Sequence, residues 1–127
     1  THCISSAASD VYKRQLLEMA QGSDLRAEVE VSAVDLIPEA LEFARMGVLP
    51  AGMYRNRTFA EQWVDAGQTE IAVQDMLYDP QTSGGLLMAV DPADADALLA
   101  ELKGTVPSAQ RVGVMRRYEG GARIVLH

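Results

Sequence analysis

Gly85-Leu-Leu-Met-Ala-Val90, running directly into Asp91-Pro-Ala-Asp94, is the stretch whose reading decides the fold. An uninterrupted apolar run this short is too brief for an ordinary helix and reads as a strand covered on both faces. Asp91 then supplies a helix cap, and Pro92 sits in the first turn, where its missing N–H costs nothing. Asp94 lies where the helix dipole favours negative charge. Ala95, Leu98, Leu99 and Leu102 recur at helical spacing and predict a buried face, with Gly104 as the stop. Two strands are expected next, at about 111–117 and 122–126, joined as a hairpin through Glu119-Gly120-Gly121.

Working back from Gly85, Val73, Met76 and Leu77 predict a helix from about Glu70 that stops before Asp79-Pro80, because proline disfavours helix in the residue preceding it. Between Val48 and Gln68 the periodicity fades. That stretch reads as a long loop with one short helix around Trp63, and loops of this length are often functional. Ile37, Ala40, Leu41 and Ala44 form a helical stripe with Pro38 at its start and Gly47 as its stop. Arg26 to Val31 alternates strictly, with Ala27, Val29 and Val31 on the dry side of a half-buried strand. Tyr12, Leu16, Met19 and Ala20 mark a first helix ending near Gly22. The expected order is α-β-α-loop-α-β-α-β-β, an α+β fold with helices on a mixed sheet, whose tail resembles part of a ferredoxin-like split unit.

Composition narrows the function. The chain has 127 residues, enough for one domain, and 48% of them are hydrophobic. With 11 Lys plus Arg against 18 Asp plus Glu, the net charge is −7, which argues against a general partner in nucleic acid or an anionic membrane. There is no apolar run long enough to span a bilayer and no signal-peptide core, so a cytoplasmic protein is expected. The two histidines, His2 and His127, lie at or beside the termini, as does the one cysteine, Cys3. Internal disulfides, thiolate zinc sites and histidine-based triads are therefore excluded, and no metal site is expected. Carboxylates, arginines, amides and hydroxyls remain, a poor set for self-sufficient catalysis.

The segment with the strongest chemical signal is Asp79-Pro80-Gln81-Thr82-Ser83-Gly84-Gly85. Gly84 and Gly85 permit positive φ and close approach by a ligand, and their amides could form an anion nest. Thr82 and Ser83 offer hydroxyls, Gln81 an amide, and Asp79 a carboxylate that could take a proton, a hydrogen bond or a cation. The same residues also make an ordinary turn between helix and strand, and composition alone slightly favours that turn.

Extended to Leu87, this motif resembles the C-terminal-domain signature of the selenophosphate synthetases, or selenide, water dikinases. Leu17-Glu-Met-Ala20 resembles the end of that family's Gly-His-Leu-x-Glu-Met helix. Arg45-Met-Gly-Val-Leu-Pro-Ala-Gly52 with Arg55-Asn56 resembles its Leu-Gly-x-x-Pro-Gly-Gly and Arg-Asn segment. The likeness runs from about Leu16 to Leu126. Ala51 departs from the usual glycine, which puts a tight backbone approach at that position in doubt. The resemblance implies the C-terminal domain of the two-domain, ATP-binding aminoimidazole ribonucleotide synthetase-like superfamily. Full-length members use ATP, Mg²⁺, selenide and water to make selenophosphate, AMP and phosphate, and are usually homodimers. Their catalytic Cys or selenocysteine and their catalytic Lys belong to the preceding N-terminal domain, so no catalytic residue is expected here, and this chain alone is expected to bind neither ATP nor Mg²⁺ tightly.

The resemblance also implies a ligand-binding or cleft-lining set: Asp79, Gln81, Thr82, Ser83, Gly84 and Gly85, joined by Arg55 and Asn56. Surface solvation is the plainer reading for Arg55 and Arg57, and packing for Tyr54 and Trp63. Residues 1–15 match no part of the family and are expected to be a foreign or artefactual leader; residues 16–127 form the domain. Loss of a partner domain predicts exposed apolar surface. The alternative is a freestanding, non-catalytic α+β regulatory or partner-binding module. A related enzyme acting on an aminoimidazole ribonucleotide or thiamine phosphate fits the motif less well.

Overall fold

The computed structural model describes residues 2–7, 12–80 and 85–127. Its elements run β1 (His2–Ala7), α1 (Tyr12–Gly22), β2 (Leu25–Val29), α2 (Pro38–Arg45), α3 (Ala51–Ala60), β3 (Val64–Asp65), α4 (Ile71–Met76), β4 (Leu86–Val90), α5 (Pro92–Thr105), β5 (Gln110–Arg117) and β6 (Ile124–Leu126). The strands form one mixed sheet in the order β3-β6-β2-β5-β1-β4, parallel where β6 meets β2 and β3 and antiparallel elsewhere. This is the α+β class the sequence predicts.

The core lies where α1 covers β2, β5 and β6. Leu16, Leu17 and Ala20 meet Ala27 and Val29, Val112 and Met115, and Ile124 and Leu126, closed from the helical side by Met53, Ala60, Leu77 and Tyr78. Val112 and Met115 are three apart, a spacing a regular strand cannot send to one face. The register between β1 and β5 shifts at Ile4/Ser5, where Gly113 and Arg111 are paired and Val112 is passed over. That irregularity resets the alternation and returns both side chains to the core.

Four expectations need correction. The supposed long loop contains the ten-residue helix α3, followed by a 3-10 turn over Glu61–Trp63 and the short strand β3. A polar residue, Asn56, sits in the buried stripe of α3 and hides its period. The last two strands do not pair as a hairpin: β2 lies between them, antiparallel to β5 and parallel to β6. Gly120 and Gly121, at φ +99° and +77°, turn the chain into this crossover, and the Tyr118 hydroxyl donates to the Gly121 carbonyl at 3.0 Å. Strand β4 is not covered on both faces, since it forms a sheet edge with Leu86 65% exposed. Val31 leaves the β2 alternation for a 3-10 turn over Val31–Ala33.

Other expectations stand nearly as read. The Asp91 side chain accepts from the Ala93 amide at 2.9 Å, capping α5. Its stripe Ala95, Leu98, Leu99 and Leu102 is half-buried rather than buried. The α2 stripe is shallower still, burying only Ala44. Strands β1 and β3 are not anticipated in the sequence.

Candidate functional site

Helix α3 is the platform of the site. Pro50, extended at φ −69° and ψ 143°, leads into it, and Ala51 follows as its first residue. Ala51 is not among the residues at positive φ, so the missing glycine costs nothing there. The next position does require glycine: a Cβ on Gly52 would lie 2.6 Å from Pro80 Cγ. Pro80 belongs to the motif segment, so two motifs far apart in sequence touch here.

Asn56 makes the second link. It is 6% exposed, and its Nδ2 donates to the Tyr78 carbonyl at 3.0 Å. Its Oδ1 accepts from Arg14 Nη1 at 3.4 Å. Both ends of the amide are thereby satisfied inside the fold, as burial demands. At the next residue, Arg57 Nη1 donates to Asp75 Oδ1 at 2.7 Å, and Asp75 is itself buried. Burial chiefly, with the charges of Glu61 and Asp75 adding and Arg57 opposing, pushes the Tyr78 hydroxyl up to about 12. It is a neutral packing group at any ordinary pH. Gly52, Asn56 and Arg57 thus clamp the C-terminal end of α4 and the entry to Asp79-Pro80.

The remaining candidates divide. Arg55 is exposed on α3, and Asp79 is half-buried with interactions of its own. Gly85 is half-buried at the start of β4. Gln81, Thr82, Ser83 and Gly84 lie outside the described residues. Trp63 packs on the core as expected, whereas Tyr54 is exposed. Arg111, Arg116 and Arg117 are exposed on β5, whereas Arg123 is half-buried. Its guanidinium stacks 3.3 Å from the Tyr118 ring centroid and reaches Asp24 at 3.0 Å.

Asp79 also lines a cavity of about 310 Å³ that the sequence does not announce, between α2, the turn after it and α4. Leu36, Ile37, Phe43, Val48 and Met76 contribute most of its apolar wall, with Asp35 as the second carboxylate. Among the described residues no three His, Cys, Asp or Glu side chains converge closely enough to hold a metal ion. No helix among them is long and apolar enough to cross a membrane.

A mixed sheet with helices on it, and the Asp79-Pro80 segment held against α3, define an α+β domain with few reactive groups among its described residues. The chain belongs to the family described as AIR synthase related protein, C-terminal domain, which it matches over residues 14–125. Among curated proteins it is similar to a selenide, water dikinase of Clostridioides difficile (strain 630), 48% identical over 88 residues, or 68% of this chain and 25% of that protein. A selenide, water dikinase of Treponema denticola is 45% identical over 87 residues, with the same coverage. One from Nitratidesulfovibrio vulgaris (strain DP4) is 37% identical over 113 residues, covering 87% of this chain and 32% of that protein. The chain therefore spans between a quarter and a third of the length of these relatives.

Proposed function

We propose that the chain is the C-terminal domain of a selenide, water dikinase, the enzyme that makes selenophosphate, AMP and phosphate from ATP, selenide and water. The observation that carries this reading is the 48% identity over 88 residues to a relative of that name. The clamp of α3 on Tyr78 and Pro80 supports it, because it gives the Arg-Asn segment and the Asp-Pro motif one shared purpose. Asp79 to Gly85 and Arg55 line the cleft between this domain and a preceding ATP-binding domain, and Asn56 acts from behind by holding the Tyr78 carbonyl. The N-terminal domain supplies nucleophile, lysine and nucleotide site. Among the described residues no three acidic or other ligating side chains stand close enough together to suit Mg²⁺, so no metal-dependent step is assigned to them.

The longer enzyme is a cytoplasmic homodimer that uses ATP and Mg²⁺. Residues 1–15 are a leader lying almost entirely outside the family match, which begins at residue 14, although its strand β1 pairs with β4 and β5 in the sheet.

The test is to sequence the source DNA upstream of Leu16 and assay the full reading frame for selenophosphate by ³¹P NMR, with AMP release measured in parallel. Selenide-dependent AMP and a selenophosphate resonance are expected. A frame with no upstream catalytic domain, or an intact frame making neither product, would overturn the proposal in favour of a non-catalytic partner-binding module.

A further inference from the structure

The cavity beside Asp79 opens onto a face where several large apolar side chains are exposed. Helix α2 buries only Ala44, and around it Ile37 is 64% exposed, Met46 72% and Val48 61%, with Phe43 also outward. Single exposed apolar residues are ordinary, but four large ones around a cavity of about 310 Å³ are a patch of the kind that marks an interface. The charges say what kind. Asp35 and Asp79 are the charged residues of the wall, with no Lys or Arg among its described residues. A cationic donor on an apolar stem complements that lining, and arginine beside an aromatic or aliphatic anchor is the residue type that dominates such contacts.

A second copy of the chain is a poor occupant. A twofold contact would place the same acidic patch against itself, and like charges across an interface are costly. The matched relatives carry about three quarters of their length outside the aligned region, the chain covering 25% of the first. A segment of that tethered remainder reaches the groove at high effective concentration.

We propose that the groove between α2, the turn at residues 46–50 and α4 docks a segment of the upstream domain that enters with a Lys or Arg next to an apolar anchor. This rests on the reading of the chain as part of a longer enzyme. Because Asp79 belongs both to the groove and to the motif loop, docking here is felt directly at the entry to residues 79–85.

The experiment is photo-crosslinking in the full reading frame, with a benzophenone amino acid in place of the exposed Phe43 and, as control, of the exposed Glu101 on α5. Mass-spectrometric mapping should find the Phe43 crosslink within the same polypeptide, on an upstream peptide containing Lys or Arg, and no such crosslink from position 101. Asp35→Lys, at an exposed position, should lower the yield at 43 by about fivefold or more. A crosslink to a second copy, capture of a small molecule in its place, no crosslink, or a yield indifferent to Asp35→Lys would overturn the proposal. Selenophosphate production by the unlabelled protein is measured alongside. An active enzyme with a misplaced crosslink sinks the docking site alone. An inactive one with the expected crosslink sinks the activity alone.

Discussion

Helix α5 opens on a side-chain cap and carries a leucine stripe, yet buries no residue completely, whereas α3 has no side-chain cap and buries Met53, Asn56 and Ala60. The first reads clearly in sequence because its apolar face is broad and unbroken. It lies on β1 and β5 toward one side of the sheet. The second interrupts its face with an amide and runs Arg55-Asn-Arg-Thr58 through its middle, but it is gripped between α1 and α4. Periodicity reports the width of a helix's apolar face. How firmly the helix is held depends on what stands opposite, which the local pattern does not contain.

That contrast can be broken by truncating one core side chain on each helix. Met53→Ala should cost about 3 kcal/mol and Leu98→Ala about 1 kcal/mol in urea unfolding, since the first leaves a closed cavity and the second a half-wet groove. Equal losses would mean that the two helices are held alike. Next in size, Asn56→Ala strands the Tyr78 carbonyl and should cost about 1–3 kcal/mol. Asn56→Asp keeps an acceptor toward Arg14 but offers Tyr78 no donor, so it should not restore stability. Full recovery in Asn56→Asp would show that the Arg14 contact, not the Tyr78 one, matters. Asp91→Ala removes the α5 cap and should cost about 1 kcal/mol, a sharper loss than Pro50→Ala at the N-cap position of α3, which makes no side-chain cap.

The smallest effect is a control on the sheet, away from both helices. The hydrogen bond from Arg116, with Arg26 adding, holds the Glu28 carboxyl below the usual carboxylate range despite partial burial. A folded-state pKa below the unfolded value stabilises the protein above pH 4.5 or so, and this contribution is lost as pH falls through the folded value. Arg116→Gln should therefore flatten the acid limb of the stability profile by less than about 1 kcal/mol, because the pair is open to solvent. An unchanged limb would show that the pair adds nothing.

Much of the fold is legible wherever one local pattern suffices. The bounds of α1, α2, α4 and α5 follow from apolar spacing and from Pro and Gly signals, and β2, β4 and β5 from runs and alternation. What escapes is relational. Nothing near Gly120-Gly121 says that a strand from the first third of the chain will come between β5 and β6, and a glycine turn between two strands looks the same either way. The site is legible as two motifs but not as one place. Asn56 reaches a backbone carbonyl, which carries no sequence signal, and Gly52 meets a proline whose neighbourhood reads only as a turn. The apolar face around Ile37 and Met46 is visible as a stripe, and its exposure is a three-dimensional fact.

The crossover of β2 between β5 and β6 also sets an order of events during synthesis. The Arg123 guanidinium closes on the Leu25 carbonyl across 98 positions, and the His127 amide and carbonyl bond to Val29 and Val31 at 2.9 and 3.0 Å. Leu16, Leu17, Ala27 and Val29 therefore emerge from the ribosome long before the strands that shield them. Contacts of such long sequence separation pay their loop-closure entropy before any reward arrives, which slows folding and leaves sticky surface waiting. That apolar surface stays uncovered until residues 124–126 appear, and the domain locks only when β6 slides in beside the first third of the chain.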